Sequence, residues 1–335
     1  MHPALQGVIT ILIGVGGCVA YFYFSNQFLD KVLFPPRGPN AGRNINRANL
    51  IRPWLFLAPA LIALGLYLAY PVVETLRLSL TERIPGGGSK WVGLDNYRQM
   101  ASEPKFWEAM RNNMMWLLVV PAFSTGFGLL AAQLTDRIKW GNIAKSLIFM
   151  PMAISFVGAA VIWKLVYDTR PVDQDQIGVL NALYLWLGGE APKTWLTIPI
   201  WNNFFLMIVL VWIQTGFAMV ILSAALRGIP EETIEAAIVD GANPFQVFFK
   251  IKVPQIAGTI VVVWTTITIV VLKVFDIVFA MTNGQWQTQV LANYMYDKLF
   301  RAGDWGVGSA SAMVIMLLVT PILVWNVWNA RREMR

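Results

Sequence analysis

Lys273 and Asp276 stand three residues apart inside an apolar run from 256 to 280. Ionised groups within a membrane-length segment cost about 2.5–3.5 kcal/mol each on insertion scales, which makes such residues functional candidates. On a helix, the i, i+3 spacing puts both on one face. There they can form a structural pair near one end of the helix, or they can present charge to a polar solute. Gln214 lies midway along a second apolar run, 203–225, and can hydrogen-bond a solute or bridge to a neighbouring helix. Phe275 sits between the two charges, and Trp212 and Trp264 supply buried aromatic surface suited to stacking on a solute ring or to core packing.

Bond-making chemistry has little to work with. His2 is the sole histidine and Cys18 the sole cysteine, which excludes a His-rich metal site and an internal disulfide and leaves a Ser-His-Asp triad only the second residue of the chain to draw on. A phosphate loop of the G-x-x-x-x-G-K-[ST] type is missing from the sequence, since Gly86-Gly87-Gly88-Ser89-Lys90 lacks its spacing. The carboxylates are scattered rather than clustered at one membrane face, as a membrane enzyme would require.

The elements that position these residues are membrane helices. Of the 335 residues, 56% are hydrophobic and 13% charged, against about 25% charged in a soluble domain. Apolar spans near the length of about twenty residues needed to cross a bilayer fall at 5–24, 54–73, 113–134, 147–167, 203–225, 256–280 and 307–329. The expectation is an all-α integral membrane protein with seven spans: an accessory helix in 1–30, a linker over 31–52 whose prolines and glycines resist regular structure, and a six-helix domain over 53–330. The net charge of +7 is concentrated beside the spans, which argues against a nucleic-acid partner. Arg137, Lys139 and Lys145 in the short loop 135–146 and Arg331-Arg332 in the tail place those segments inside, with the N-terminus outside. Tryptophans such as Trp54, Trp116 and Trp325 near span ends suit an aromatic belt.

One segment interrupts this pattern. Residues 227–254, RGIPEETIEAAIVDGANPFQVFFKIKVP, are polar and read as two short helices around a glycine turn. Pro230 opens the first helix, with Glu231 and Glu232 at the positive end of its dipole. Asp240-Gly241 closes it, and Asn243, Pro244 and Gln246 start the second through an approximate capping box. Ala236 and Ala237 are small enough to allow close approach of a partner. The hairpin can dock on another subunit at the inner face or lie along the lipid surface.

Glu235-Ala236-Ala237, Asp240-Gly241-Ala242 and Ile251-Lys252-Val253-Pro254 resemble the EAA motif of importer permeases of the ATP-binding cassette (ABC) class. Lys273 to Val278, Thr282-Asn283-Gly284, Tyr294-Met295-Tyr296 and Gly306 to Ala312 are similar to the maltose and oligosaccharide branch, and the extra N-terminal helix and overall length look most like alpha-glucoside permeases. Asn283-Gly284-Gln285-Trp286 departs from a Gly-Gly-Pro common in that branch, and Val253 stands where leucine is frequent.

The resemblance implies a six-helix importer core plus one extra N-terminal helix in a bacterial inner membrane, carrying sugar. It also implies a sister permease, two ABC ATPase subunits and an external sugar-binding protein as partners. ATP and Mg would be bound by the ATPase, with no cofactor in this chain. Glu235, Ala236, Ala237, Asp240, Gly241 and Pro254 would couple to the ATPase, and Gln214, Lys273, Phe275 and Asp276 would line the substrate pathway. The alternative is an ion-coupled secondary transporter, which usually shows internal repeats and several embedded acids. Only Asp276 is acidic within a span, and no repeat is visible.

Overall fold

The computed structural model describes residues 3–84, 86–136 and 138–333, so His2, Arg137 and Arg335 lie outside the described residues, as do the side chains of Arg331 and Arg332. The chain divides into two compact units, Met1–Glu74 and Thr75–Arg335.

In the first unit, α1 (Pro3–Phe28) passes through a π-helical turn, Leu29–Leu33, and α2 spans Ala41–Leu64. A second π-turn, Gly65–Ala69, leads into α3 (Tyr70–Ser79). Regular structure is therefore lost only over 34–40, where Pro35, Pro36 and Pro39 surround Gly38 at φ +82°. The longer linker expected over 31–52 is corrected: Ala41 to Arg52 contains no proline, and α2 extends through it. α1 exposes Ile11, Ile13 and Val19 around its circumference, as a helix bathed in lipid does. Tyr21 Oη donates to the Leu55 carbonyl at 2.9 Å, Phe22 stacks on Phe56 at 5.3 Å, and Arg52 pairs with Asp30 at 2.6 Å.

The second unit begins within α3, at Thr75, and continues into a short antiparallel ribbon, β1 (Thr81–Arg83) and β2 (Ser89–Trp91), in which Glu82 faces Lys90. Gly86, Gly87 and Gly88 all take positive φ in its turn, a conformation few other residues accept. There follow α4 (Asp95–Ser102), α5 (Pro104–Thr135), α6 (Gly141–Phe149) with a 3-10 turn at Met150–Ala153, α7 (Phe156–Val166), α8 (Val179–Trp186) and α9 (Trp201–Arg227). The chain continues through α10 (Glu231–Val239), α11 (Pro244–Gln246), α12 (Val253–Gln255), α13 (Ala257–Leu272), α14 (Asp276–Met281), α15 (Leu291–Tyr296) and α16 (Trp305–Glu333).

Among the described residues, five helices are long and apolar enough to cross a membrane, and the number is up to seven if each of two bent pairs is one span. Two of the expected spans are corrected, one by a bent pair and one by an early helix end. Over 147–167 the chain turns by 105° between Gly141–Ala153 and Phe156–Val166. Pro151 withholds a backbone donor there, and Ser155 caps the new helix by accepting from the Gly158 N–H at 3.1 Å. Over 256–280 the helix stops at Leu272, and Lys273 (φ −109°, ψ 23°) and Phe275 (φ −138°, ψ −59°) leave helical geometry. Lys273 and Asp276 therefore share no continuous helix face and form no ion pair. Asp276 instead starts α14, the helix end whose dipole favours a carboxylate.

The core lies where α5 packs along α9, with Trp116, Val120 and Ala132 against Leu206, Leu210, Met219 and Leu222, and with Val263 and Ile267 of α13 alongside. Trp116 is wholly buried there rather than in a belt, whereas Trp264, expected to be buried, is 39% exposed. Trp212 is half-buried, edge-on to Trp163 at 5.7 Å. Close approach of the two helices requires Gly128: a Cβ there would stand 2.4 Å from Ala218 Cβ and 2.9 Å from the Met219 nitrogen. Gly128→Val is expected to cost about 1–3 kcal/mol through overpacking, seen as a lowered midpoint of thermal unfolding in detergent.

Candidate functional site: hairpin, cavity and outer loop

The interrupting hairpin is built as its residues dictate. Glu231 and Glu232 occupy the first turn of α10, and the helix ends in a Schellman closure. The Gly241 N–H donates to the Ile238 carbonyl at 3.0 Å, and the Ala242 N–H to the Ala237 carbonyl at 2.9 Å. Gly241 holds φ +85°. Asn243 and Gln246 complete a reciprocal capping box, each side chain accepting from the other's backbone N–H at 2.9 Å. A π-helical turn, Val247–Lys252, then carries the chain past Pro254 to a 71° bend into α13.

The two alanines part company. Ala237 is buried against the chain, whereas Ala236 is exposed together with Glu235 and Asp240. Only Ala236 can offer a small contact surface to a partner. Val239, at 86% exposed, and Phe245, at 76%, add apolar area on either side of the turn.

The root of the hairpin carries an ion cluster that the sequence reading did not pick out. Asp136, just after α5, pairs with Lys145 of α6 and with Arg227 Nε at 3.3 Å. Ser223 Oγ donates to Asp136 at 3.2 Å and accepts from Lys145 at 2.8 Å and Arg227 at 3.1 Å. A carboxylate at a helix C-terminus sits at the unfavourable end of the dipole, and the two cations compensate it.

The broken spans open onto cavities. One of about 420 Å³ is lined by Met152, Ile154, Ser155, Phe156, Val157, Ile213, Gln214 and Asp276. A second, of about 160 Å³, is lined by Lys273, Phe275 and Asp276 with Phe156, Leu210 and Val270 among others. Gln214, Lys273, Phe275 and Asp276 are thus brought together, with Asp276 and Phe156 common to both cavities. Phe275 also stacks on Phe279 at 4.9 Å and tilts against Tyr296 at 5.3 Å, so one face of its ring is committed to packing. Ser155 escaped the sequence reading because 147–167 read as one uninterrupted span.

At the opposite end of α5 from the hairpin, an asparagine quartet grips the loop between α14 and α15. Asn112 donates to the carbonyls of Gln287 and Gln289 at 2.9 and 2.8 Å, Asn202 to Trp286 at 2.6 Å, and Asn203 to Gln287 at 3.2 Å. Asn113 accepts from the Leu291 N–H at 2.8 Å. The loop carries Asn283, Trp286 and Gln287 at positive φ, where non-glycine residues are uncommon, and these bonds fix the carbonyls of Trp286 and Gln287. Beside the loop, Tyr294 Oη donates to Glu103 at 2.7 Å, and Lys298 donates to the same carboxylate at 2.5 Å. Burial, then the Glu103 hydrogen bond, raises the Tyr294 phenol far above its ordinary value, so it remains a donor.

Membrane spans that break around a mainly apolar cavity into which Ser155, Gln214 and Asp276 bring polar groups, joined to an exposed helical hairpin, are the features of the membrane subunit of a transporter. The family model described as "Binding-protein-dependent transport system inner membrane component" matches residues 124–335, and the chain belongs to that family. It is 64% identical to the alpha-glucoside transport system permease protein AglF of Rhizobium meliloti (strain 1021), over 99% of each chain. It is 46% identical to the osmoprotective compounds uptake permease protein GgtC of Synechocystis sp., over 84% of this chain and all of that one. The fold is similar to a chain of a bacterial ABC transporter involved in the import of the acidic polysaccharide alginate, with a TM-score of 0.72 at 21% identity, covering 88% of this chain and 99% of the other.

Proposed function

We propose that this chain is the permease subunit of an ATP-driven importer of alpha-glucosides, forming half of the translocation pathway and lacking an ATPase site of its own. The observation that carries the substrate class is the end-to-end 64% identity with an alpha-glucoside permease. The exposed, doubly capped hairpin 227–254 supports coupling to a separate ATPase. The partners are a sister permease, two ABC ATPase subunits that bind ATP and Mg, and an external binding protein. The solved alginate transporter in complex with an alginate pentasaccharide-bound periplasmic protein supplies the architectural parallel. Lys139 and Lys145 lie close to the hairpin root, which supports a cytoplasmic hairpin and C-terminus with the N-terminus outside.

In this arrangement Asp276 and Gln214 meet sugar hydroxyls across the larger cavity, with Ser155 as a third polar contact. Lys273 and Phe275 border the smaller cavity next to it. Closure of the ATPase pair moves the hairpins and exchanges the side of the membrane to which the cavities open.

The test is uptake of radiolabelled maltose, trehalose and sucrose into vesicles carrying this chain with its sister permease, ATPase and binding protein. Uptake that requires internal ATP and survives a protonophore supports the proposal. Uptake abolished by the protonophore at constant ATP would assign the chain to ion-coupled transport.

A further inference from the structure

We infer that the inner end of α5, through Asp136 and Gln133, is the receiver of the hairpin's motion, and that α5 transmits it to the outer loop 282–290. This rests on the ATPase-coupling role proposed for the hairpin. Both arms of the hairpin reach the same helix end. Arg227, four residues before α10 begins, pairs with Asp136, and Lys252 on the second arm donates to Gln133 Oε1 at 3.3 Å. The Asp136 side chain is only 23% exposed, and Lys145 and the buried Ser223 close around it. A tilt of the hairpin therefore acts on α5 through two polar bonds, one from each arm.

The other end of α5 is bonded just as directly. Asn112 and Asn113 hold Gln287, Gln289 and Leu291, and Lys105 donates to the Gly284 carbonyl at 3.1 Å. From Asn113 to Gln133 the helix rises about 30 Å, the thickness of a bilayer core. It packs along the buried core as one continuous helix, with Pro121 removing a single backbone donor midway, and displacement of one end is carried to the other through that packing. Asp136 and Gln133 are positioning residues: neither lines a cavity containing Gln214, Lys273 or Asp276.

The experiment reads sugar molecules imported per ATP hydrolysed, in the reconstituted complex with sister permease, ATPase and binding protein. The sugar is whichever of maltose, trehalose and sucrose the wild type accumulates fastest. Asp136→Asn is expected to assemble and hydrolyse ATP at the wild-type rate within about twofold, yet to lose about tenfold in sugar per ATP. Asp136→Glu should restore that ratio, and Gln133→Leu should lower it in the same direction.

A proportional fall of uptake and hydrolysis would mean a merely structural role, and an unchanged ratio would mean no role; either overturns the inference. If Asp136→Asn does not assemble, Gln133→Leu decides by the same ratio. Wild-type uptake that needs no ATP would instead overturn the underlying importer reading, a result distinguishable from both.

Discussion

Gly241→Asp is expected to abolish ATP-driven uptake while leaving delivery of sugar by the binding protein intact. Gly241 holds φ +85°, and both Schellman bonds of α10 depend on that turn. A Cβ would meet no atom within 4 Å, so the substitution fails on conformation and charge rather than on space. Left-handed geometry costs most residues other than glycine about 1–2 kcal/mol and Asp and Asn less, which leaves charge as the larger part of the effect. The new carboxylate would also stand beside Asp240 at the negative end of the α10 dipole. Asparagine tolerates the left-handed conformation and brings no charge. Gly241→Asn should therefore retain a large part of the uptake, and equal loss in both variants would show that the charge plays no part. Binding-protein association, measured on the reconstituted complex, should not change in either.

The second large effect is expected at Asp276. It is half-buried at the start of α14, faces both cavities and makes no ion pair among the described residues, which suits it to meet a solute hydroxyl. A hydrogen bond to a charged group contributes about 1.5–3 kcal/mol, which corresponds to roughly a tenfold to hundredfold change in affinity. Asp276→Ala should raise the KM for uptake by about that factor, with sugar affinity of the isolated binding protein unchanged. An unaltered KM would remove Asp276 from the pathway. A fall in ATP hydrolysis without a change in KM would place it in coupling instead.

The hairpin was legible in the sequence almost residue by residue, because caps and turns are local. Pro230, Asp240-Gly241 and the Asn243–Gln246 box each act within a few positions of themselves, and each sits where its chemistry requires. Span number was legible to within the two bent pairs, five spans or up to seven if each pair crosses once, since hydrocarbon thickness sets the length of a span. The breaks within spans were not. Pro151-Met152-Ala153-Ile154-Ser155 and Lys273-Val274-Phe275 are apolar enough to continue a helix, and what ends it is packing against other elements and the capping chances offered to Ser155 and Asp276.

The paired asparagines at 112–113 and 202–203 show the same limit from the other side. Two amides in tandem near the ends of two apolar runs were a readable signal of buried backbone to be satisfied. Their targets lie far along the chain in 286–291, and only the fold brings them together. The separation of Ala236 from Ala237 likewise depended on which face α10 turns inward.

That the hairpin is the ATPase contact is tested most directly by cross-linking. With Cys18 replaced by serine the chain has no cysteine, so Ala236→Cys in that background carries one thiol, on an exposed position of α10. Labelled with a benzophenone maleimide and irradiated in the assembled complex, it should yield an adduct with the ATPase subunit. The same label at Val172→Cys, an exposed position between α7 and α8, should not. An ATPase that co-purifies with the permease yet forms no adduct with Ala236→Cys would contradict the account.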